Sequence, residues 1–343
     1  MEDYIISHGS SVSPPFINAA TAYKLLNVPT LMSELETGLR NFSAGEAGGV
    51  VMPVRTVIPV GDESGALAVM PAYSCQDSGL AVKLVSVFPG NAQRGLPSHS
   101  AMIVLFNAAT GEVLSLIDGG VITAMRTAAV SALAIRRFSS TRSGKVAIIG
   151  SGVQARSHLL VLRHVFDVKE VRIYSRTKEN AQKFASQVTE PVSVCDTVKE
   201  AVEDADVIVT TTMAKEPIVF GDWVKKGAVV AAVGAYKPTD RELDETLMES
   251  AAVIVDSRPG ALKESGAVRM SKAEIRAELG EVLATPAGEP GVVQSGETVV
   301  FKNLGLAIED VVAAKHIYEK YQAEKEAGAK RVMVCVGGVC RLE

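Results

Sequence analysis

The sequence has no excess of basic residues. Its 343 residues carry 35 Lys and Arg against 39 Asp and Glu, a formal net charge of −4. That balance leaves no basic footprint for nucleic acid. No apolar run approaches the roughly 18 residues of a transmembrane helix, so no membrane span is expected. Met1–Ser11 holds neither the basic segment nor the apolar segment of a signal peptide, and a cytoplasmic protein is expected. Cysteine is sparse. Cys75, Cys195, Cys335 and Cys340 do not have zinc-ribbon spacing and read as reduced, structural thiols. Cys340 is fourth from the end, but Arg341 and Glu343 make a poor prenylation signal. The five histidines show no metal-ligand pairing, since His158 and His164, six apart on one expected helix, do not share a face. No metal site is predicted.

What remains is an ordinary globular balance, 47% hydrophobic and 22% charged, long enough for two domains and a large core. The most informative stretch is Lys145–Thr177. A short apolar strand, Val146–Ile149, runs into Gly150-Ser151-Gly152-Val153-Gln154-Ala155. A helical pattern follows, then a second strand at Glu170–Tyr174. Strand, glycine-rich turn, helix and strand within about thirty residues is the context that makes such a turn a dinucleotide-binding candidate. Gly150 permits the tight turn. Gly152 lets backbone N–H groups approach a pyrophosphate at the helix start. Ala155 replaces the third glycine and is small enough for close helix–strand packing.

The residues after the second strand bear on the cofactor. An NAD-selective site places Asp or Glu about 20 residues past the glycines. Here the segment is Tyr174-Ser175-Arg176-Thr177, with no acid before Glu179. An arginine fork suits a 2′-phosphate, and Ser175 and Thr177 add hydroxyl donors. NADP(H) is therefore expected over NAD(H), the ordinary alternative being that Arg176 is a solvated surface residue.

Around the turn, periodicity predicts the elements. Residues 21–42 carry apolar residues at helical spacing. Strands are expected over 50–60, 66–70, 80–87, 100–106 and 112–117, and a helix over 122–138. Helices at 179–187 and 197–205 then alternate with strands at 207–212, 229–234 and 253–256. That alternation implies a parallel, doubly wound sheet. A Pro/Gly loop is expected at 285–296, a long helix at 306–325 and a strand-like tail at 332–336. The expected fold is α/β: a Rossmann-type doubly wound parallel sheet plus a discontinuous α+β substrate and dimerisation domain. Residues 123–308 form the nucleotide domain, with 1–122 and 309–343 in the other.

Three basic residues precede the turn in apolar or turn contexts: Arg55, Lys83 and Arg126. A charge so placed is costly unless paired. Singly, each reads equally well as a structural ion pair or a solvent-facing residue. Together they suggest an anion site, the simplest anion being a substrate carboxylate. His99 lies near that expected site or bonds its own turn. Asp118 reads as a helix cap, and Glu309 and Asp310 as charges at a helix start.

In order and spacing, FPGNAQRGLPSH, GEVLSLIDGGVITAMRTAAVSALA, IIGSGVQA, RTKENAQKFA, AVGAYKPTDRELD, KESGAV, ELGEV and FKNLGLAIEDVVAAK resemble the ornithine cyclodeaminase/mu-crystallin family. The similarity runs from about Thr21 to Tyr321. The resemblance implies a homodimer paired through the sheets of the non-nucleotide halves. It implies that Arg55, Lys83 and Arg126 hold a substrate carboxylate, with Lys83 and Arg126 closest to the chemistry. It also implies that Ser175-Arg176-Thr177 is the 2′-phosphate loop. The family's cyclodeaminases carry an aspartate after the strand ending AVG. Here that segment is Gly234-Ala235-Tyr236-Lys237-Pro238, which puts cyclodeamination in doubt and makes Tyr236 and Lys237 candidate substrate contacts. The resemblance thus implies NADPH-dependent reduction of a cyclic ketimine, a small carboxylated imine. The alternatives are an alanine-type amino-acid dehydrogenase, a cyclodeaminase, or a non-enzymatic thyroid-hormone-binding or crystallin-type protein.

Overall fold

The structure is a computed structural model and describes residues 13–61, 65–286, 291–331, 334–336 and 339–341. The expectation for Met1–Ser11 lies outside these residues. Two large sheets form the molecule. The first comprises β1 (Phe16–Ile17), β2 (Val50–Val51), β3 (Thr56–Val60), β4 (Gly65–Ser74), β5 (Gly79–Val87), β6 (His99–Asn107) and β7 (Val113–Asp118). Its order is β1-β7-β6-β5-β4-β2, with β3 also paired to β4. Only the short β1–β7 pairing is parallel; the rest of this sheet is antiparallel.

Period-two alternation explains which side chains face the core. In β5, Ala81, Lys83 and Val85 are buried, while Leu84 points out and is exposed. Two expected elements are broken. Residues 50–60 form two strands, because 52–55 leave the ladder and Pro53 has no N–H to donate to it. Arg55, expected within a strand, sits in that irregular break. Residues 21–42 form two helices, Ala19–Leu25 and Val28–Ser43. The second begins afresh because the Asn27 side chain accepts from the Thr30 N–H at 3.0 Å, with Pro29 in the first turn.

The second sheet contains β8 (Ser143–Ile149), β9 (Asp167–Tyr174), β10 (Val192–Val194), β11 (Val207–Thr210), β12 (Val229–Ala232), β13 (Ala252–Val255), β14 (Ile275–Glu278) and β15 (Val299–Lys302). Its order is β10-β9-β8-β11-β12-β15-β13-β14, and every pairing is parallel. Its central strands are buried along their length and read as unbroken β-branched and alanine runs. The α/β class with a Rossmann-type parallel sheet is as expected. The order reverses direction at β8, so the crevice beyond the carboxyl ends of β8 and β11 is the switch point where such sheets bind ligands.

The helix Gly119–Phe138 joins the two sheets. Asp118 caps it, accepting from Gly120 and Val121 N–H at 3.0 and 3.1 Å. Its alanine-rich surface lets neighbours approach from all sides. It packs on Val28–Ser43, on the helix Val153–Leu162, on β6, β12 and β15, and on the C-terminal helix Ala307–Arg331. That last helix lies across β4, β5 and β6. The expected divisions at 122/123 and 308/309 fall in the first turns of these two helices. In the tail, Val334–Val336 pairs antiparallel with Val339–Arg341, and Cys335 and Cys340 are register partners. Val332 and Met333 lie outside the described residues. No helix among the described residues is long and apolar enough to cross a membrane.

Candidate active site

The glycine-rich turn follows β8 directly. Gly150 has φ +115°, and a Cβ there would stand 2.5 Å from the Thr211 hydroxyl, so glycine is required on both counts. Its N–H donates to Tyr174 O at 2.9 Å. Gly152 is the N-cap of Val153–Leu162 and offers no side chain to the first-turn N–H groups. A Cβ on Gly152 would meet nothing within 4 Å, so the space over the helix start is open. Val153 is exposed beside it, and Ala155 is fully buried against the sheet. Ser151 and Ser175 hydroxyls are 2.9 Å apart, which ties the turn to the end of β9.

Arg176 is exposed and makes no hydrogen bond or ion pair with a described residue. Thr177 stands at the N-cap of Lys178–Ala185 without a capping bond from its side chain. A cation and a hydroxyl, both without described partners, thus flank the turn. The open helix start and these donors fit a dinucleotide, with its pyrophosphate at the first turn and its ribose beyond β9.

The three cations also converge, but not as bare charges. Lys83 Nζ is 2.7 Å from Asp310 Oδ2. Arg126 Nε is 3.1 Å from Asp310 Oδ1, and its NH1 is 2.7 Å from Glu309 Oε2. Lys83 and Arg126 are only 2% and 3% exposed. Arg55 Nε lies 3.1 Å from Glu264 Oε2, and its NH2 donates to Leu304 O and Gly305 O at 3.1 and 2.7 Å. Glu309 and Asp310, expected as helix-start charges, are the buried counter-ions of the cluster. Residues in apolar runs that cannot remain unpaired were the signal for such acids; their address, some 180 residues downstream, was not in the local pattern.

Burial dominates the electrostatics. It pushes Lys83 down to about 8, with the Arg126 charge adding to the effect and Asp310 opposing it. It pushes Glu309 up to about 7 against the pull of Arg126, and Glu309 Oε1 has no hydrogen-bond partner among the described residues. Burial opposes the charge on Arg126, but Asp310 and Glu309 outweigh it and raise that group further. His99 is lowered, first by desolvation and then by Lys83 and Arg126, so it lies in the field of the cluster. Tyr236 is half-buried, and burial and the nearby Asp240 raise its hydroxyl, with Arg55 opposing. It follows Ala235, which holds φ +48°. Lys237 stands outside the ion-paired cluster: its side chain is exposed and unpaired among described residues, while its carbonyl accepts from Asp240 and Gly266 N–H.

Thr123 links the two halves of the site. Its carbonyl accepts from Gln154 Nε2 at 3.4 Å, and its hydroxyl accepts from Lys83 Nζ at 3.4 Å. The turn and the cations are therefore two hydrogen bonds apart. Deeper in, Asn303 Nδ2 donates to the Ser131 hydroxyl, which donates to His158 Nε2 at 2.9 Å, and His158 Nδ1 donates to Gln154 O at 2.7 Å. This polarity requires neutral His158, and burial holds it down to about 4. Among the described residues, no group of three or more His, Cys, Asp or Glu is placed to hold a metal ion.

A parallel switch-point sheet, an open glycine-rich turn and a charged cluster beside it define an α/β protein of the dinucleotide-binding class. The chain belongs to the ornithine cyclodeaminase/mu-crystallin family, whose model matches residues 16–325. It is 49% identical over 314 residues to the ketimine reductase mu-crystallin of Rattus norvegicus, covering 91% of this chain and 99% of the relative. The Delta(1)-pyrroline-2-carboxylate reductase of Thermococcus litoralis, solved with NADH and L-proline, superposes with a TM-score of 0.85 at 33% identity, covering 91% and 98% of the two chains. An archaeal alanine dehydrogenase, described as a dimer with bound NAD, superposes at 0.82 with 29% identity, covering 91% and 97%.

The cluster's stability should depend on its acids. Glu309→Ala leaves Arg126 one carboxylate in place of two, and a loss of about 3–5 kcal/mol is expected by urea denaturation. A loss under about 1 kcal/mol, the range of exposed pairs, would show that the pairing is not load-sharing in the folded protein.

Proposed function

We propose that the protein is an oxidoreductase that reduces cyclic imines bearing a carboxylate on the imine carbon, using NADPH. The observation that carries this reading is the cluster of buried Lys83 and Arg126 with the part-buried Arg55, in which Lys83 lies two hydrogen bonds from the glycine-rich turn. Its relatives named ketimine reductase and pyrroline-2-carboxylate reductase support the same chemistry.

When bound, the reduced dinucleotide supplies a hydride. The chain's residues supply the rest. Gly150, Ser151, Gly152, Val153, Gln154 and Ala155 form the pyrophosphate cradle, and Ser175, Arg176 and Thr177 take the 2′-phosphate. Arg55, Lys83 and Arg126 orient the substrate by its carboxylate, which fixes the adjacent C=N carbon relative to the turn. Tyr236, after the left-handed Ala235, lies in the field of Arg55 and is a candidate contact for the same substrate. Reduction of C=N also consumes one proton at nitrogen. Lys83, lowered to about 8, holds an exchangeable proton next to the carboxylate subsite.

Residues 1–122 and 309–343 then act as the substrate and dimer-forming part, and 123–308 as the nucleotide part, in a cytoplasmic homodimer. The dimer is supported by the outer face of the first sheet, where Ile58 and Leu84 are 48% and 38% exposed. The absence of an acid at Ala235 and Tyr236 weighs against cyclodeamination.

Three outcomes check the proposal. NADPH oxidation at 340 nm should proceed with Δ1-piperideine-2-carboxylate and Δ1-pyrroline-2-carboxylate. Turnover only with pyruvate and ammonia would assign an amino-acid dehydrogenase, and silence on all of them would favour a carrier of carboxylated ligands such as thyroid hormone. Arg176→Ala should raise KM for NADPH about 10- to 150-fold, the equivalent of about 1.5–3 kcal/mol for charge-assisted bonds, and leave that for NADH nearly unchanged. Equal effects on both would remove the 2′-phosphate assignment. The third outcome concerns Lys83. Below about pH 8 its ammonium is present, and above that it is lost, so kcat/KM should fall on an alkaline limb near pH 8. Asp310→Asn removes the charge that raises this group and should move the limb to lower pH; an unmoved limb would assign it to another residue.

A further inference from the structure

Asp256 follows β13 and is fully buried. One carboxylate oxygen, Oδ2, accepts from two successive backbone groups, Leu304 N–H at 2.6 Å and Gly305 N–H at 2.7 Å. The other, Oδ1, accepts from Ser257 N–H at 2.8 Å. The carboxylate therefore clasps the turn between β15 and the C-terminal helix from the neighbouring strand of the sheet.

That turn touches two of the three cations. The carbonyls of Leu304 and Gly305 both accept from Arg55 NH2. Gly305 has φ +79°, and a Cβ there would lie 2.1 Å from Arg126 NH1. Arg126 thus occupies space that exists only because residue 305 has no side chain. The turn is also fixed from its start. Lys302, the last residue of β15, is buried and donates to Gly234 O at 2.5 Å, at the foot of the loop that carries Tyr236.

We propose that Asp256 is a positioning residue for the carboxylate subsite: it sets the Leu304–Gly305 turn, and the turn sets where both guanidiniums stand. This inference rests on the reading of Arg55, Lys83 and Arg126 as that subsite. The Asp256 carboxylate is taken up by backbone N–H groups and acts through the turn it holds. It transmits the geometry of the nucleotide sheet to the substrate clamp, so that one carboxylate holds the two guanidiniums in a common frame with the hydride donor's site.

The test compares Asp256→Asn and Gly305→Ala with the unaltered protein. Asp256→Asn removes the charge and replaces one of the two acceptor oxygens by a donor, so either the Leu304 and Gly305 N–H pair or the Ser257 N–H loses its acceptor. Gly305→Ala leaves the carboxylate intact and displaces Arg126 directly, so the turn's hold on Arg126 is tested even when the first variant fails to fold. Two affinities are read: Kd for NADPH by fluorescence titration, and Kd for L-pipecolate by calorimetry with NADP⁺ present. KM for Δ1-piperideine-2-carboxylate is read alongside. The expected result is NADPH affinity within about twofold and a carboxylated-ligand Kd and KM raised on the order of 100-fold, as a misplacement near 1 Å produces. A parallel fall in both affinities would reduce Asp256 to general scaffolding, and no change in either would refute the inference outright. An unaltered protein that binds L-pipecolate but turns over no imine would sink the catalytic reading alone, since the binding comparison still decides the role of Asp256.

Discussion

Four charges in a dry interior constrain this molecule more than any other feature. Lys83, Arg126, Glu309 and Asp310 are each nearly or fully excluded from solvent, and none is tolerable there alone. They come from β5, from the helix Gly119–Phe138 and from the first turn of the C-terminal helix. Satisfying them brings that helix back across the first sheet after the parallel sheet is complete. The discontinuous course of the chain and the charged cluster are thus one fact seen twice. Placing Glu309 and Asp310 at a helix start also sets their charge against the positive end of the helix dipole.

The same cluster gives the site its character. Each cation expected to receive a substrate anion already has a protein carboxylate beside it, so the subsite is a balanced network instead of a bare positive hole. Burial then shifts members toward neutrality, Lys83 downward and Glu309 upward. Lys83 is held near 8 and Glu309 near 7, so both lie close to neutral pH. Thr123, Gln154 and the His158–Ser131–Asn303 chain join this network to the glycine-rich turn through the Gly119–Phe138 helix, whose small side chains make the close approach possible.

Much of this was legible from local pattern. The turn at Gly150–Ala155, the strand before it and the helix after it follow from a strand-turn-helix grammar that acts over a few residues. The parallel sheet followed from β-branched runs alternating with helical ones. Local pattern is weaker where a single residue interrupts an element. Residues 21–42 kept a helical rhythm through Asn27, and only the capping bond to Thr30 and Pro29 reveals the break. Residues 50–60 looked like one strand, yet Pro53 releases 52–55 from the ladder and places Arg55 where its guanidinium meets Leu304 and Gly305. Lys237, a candidate substrate contact by its place after the AVG strand, has an exposed side chain.

By itself the sequence determined the α/β class, the dinucleotide turn, the arginine in place of an acid after β9, and the identity of the three cations that needed partners. Those properties depend on residues within a turn or two of each other, or on the chemistry of a single side chain. The partners themselves were decided only by the tertiary structure. Asp310 stands 227 positions from Lys83, Asp256 reaches Gly305 from the adjacent strand, and Thr123 meets both Gln154 and Lys83. No periodicity encodes such pairings. They arise because an unpaired charge or a bare N–H is costly in a dry interior, and the fold that removes those costs together is selected over the whole chain at once.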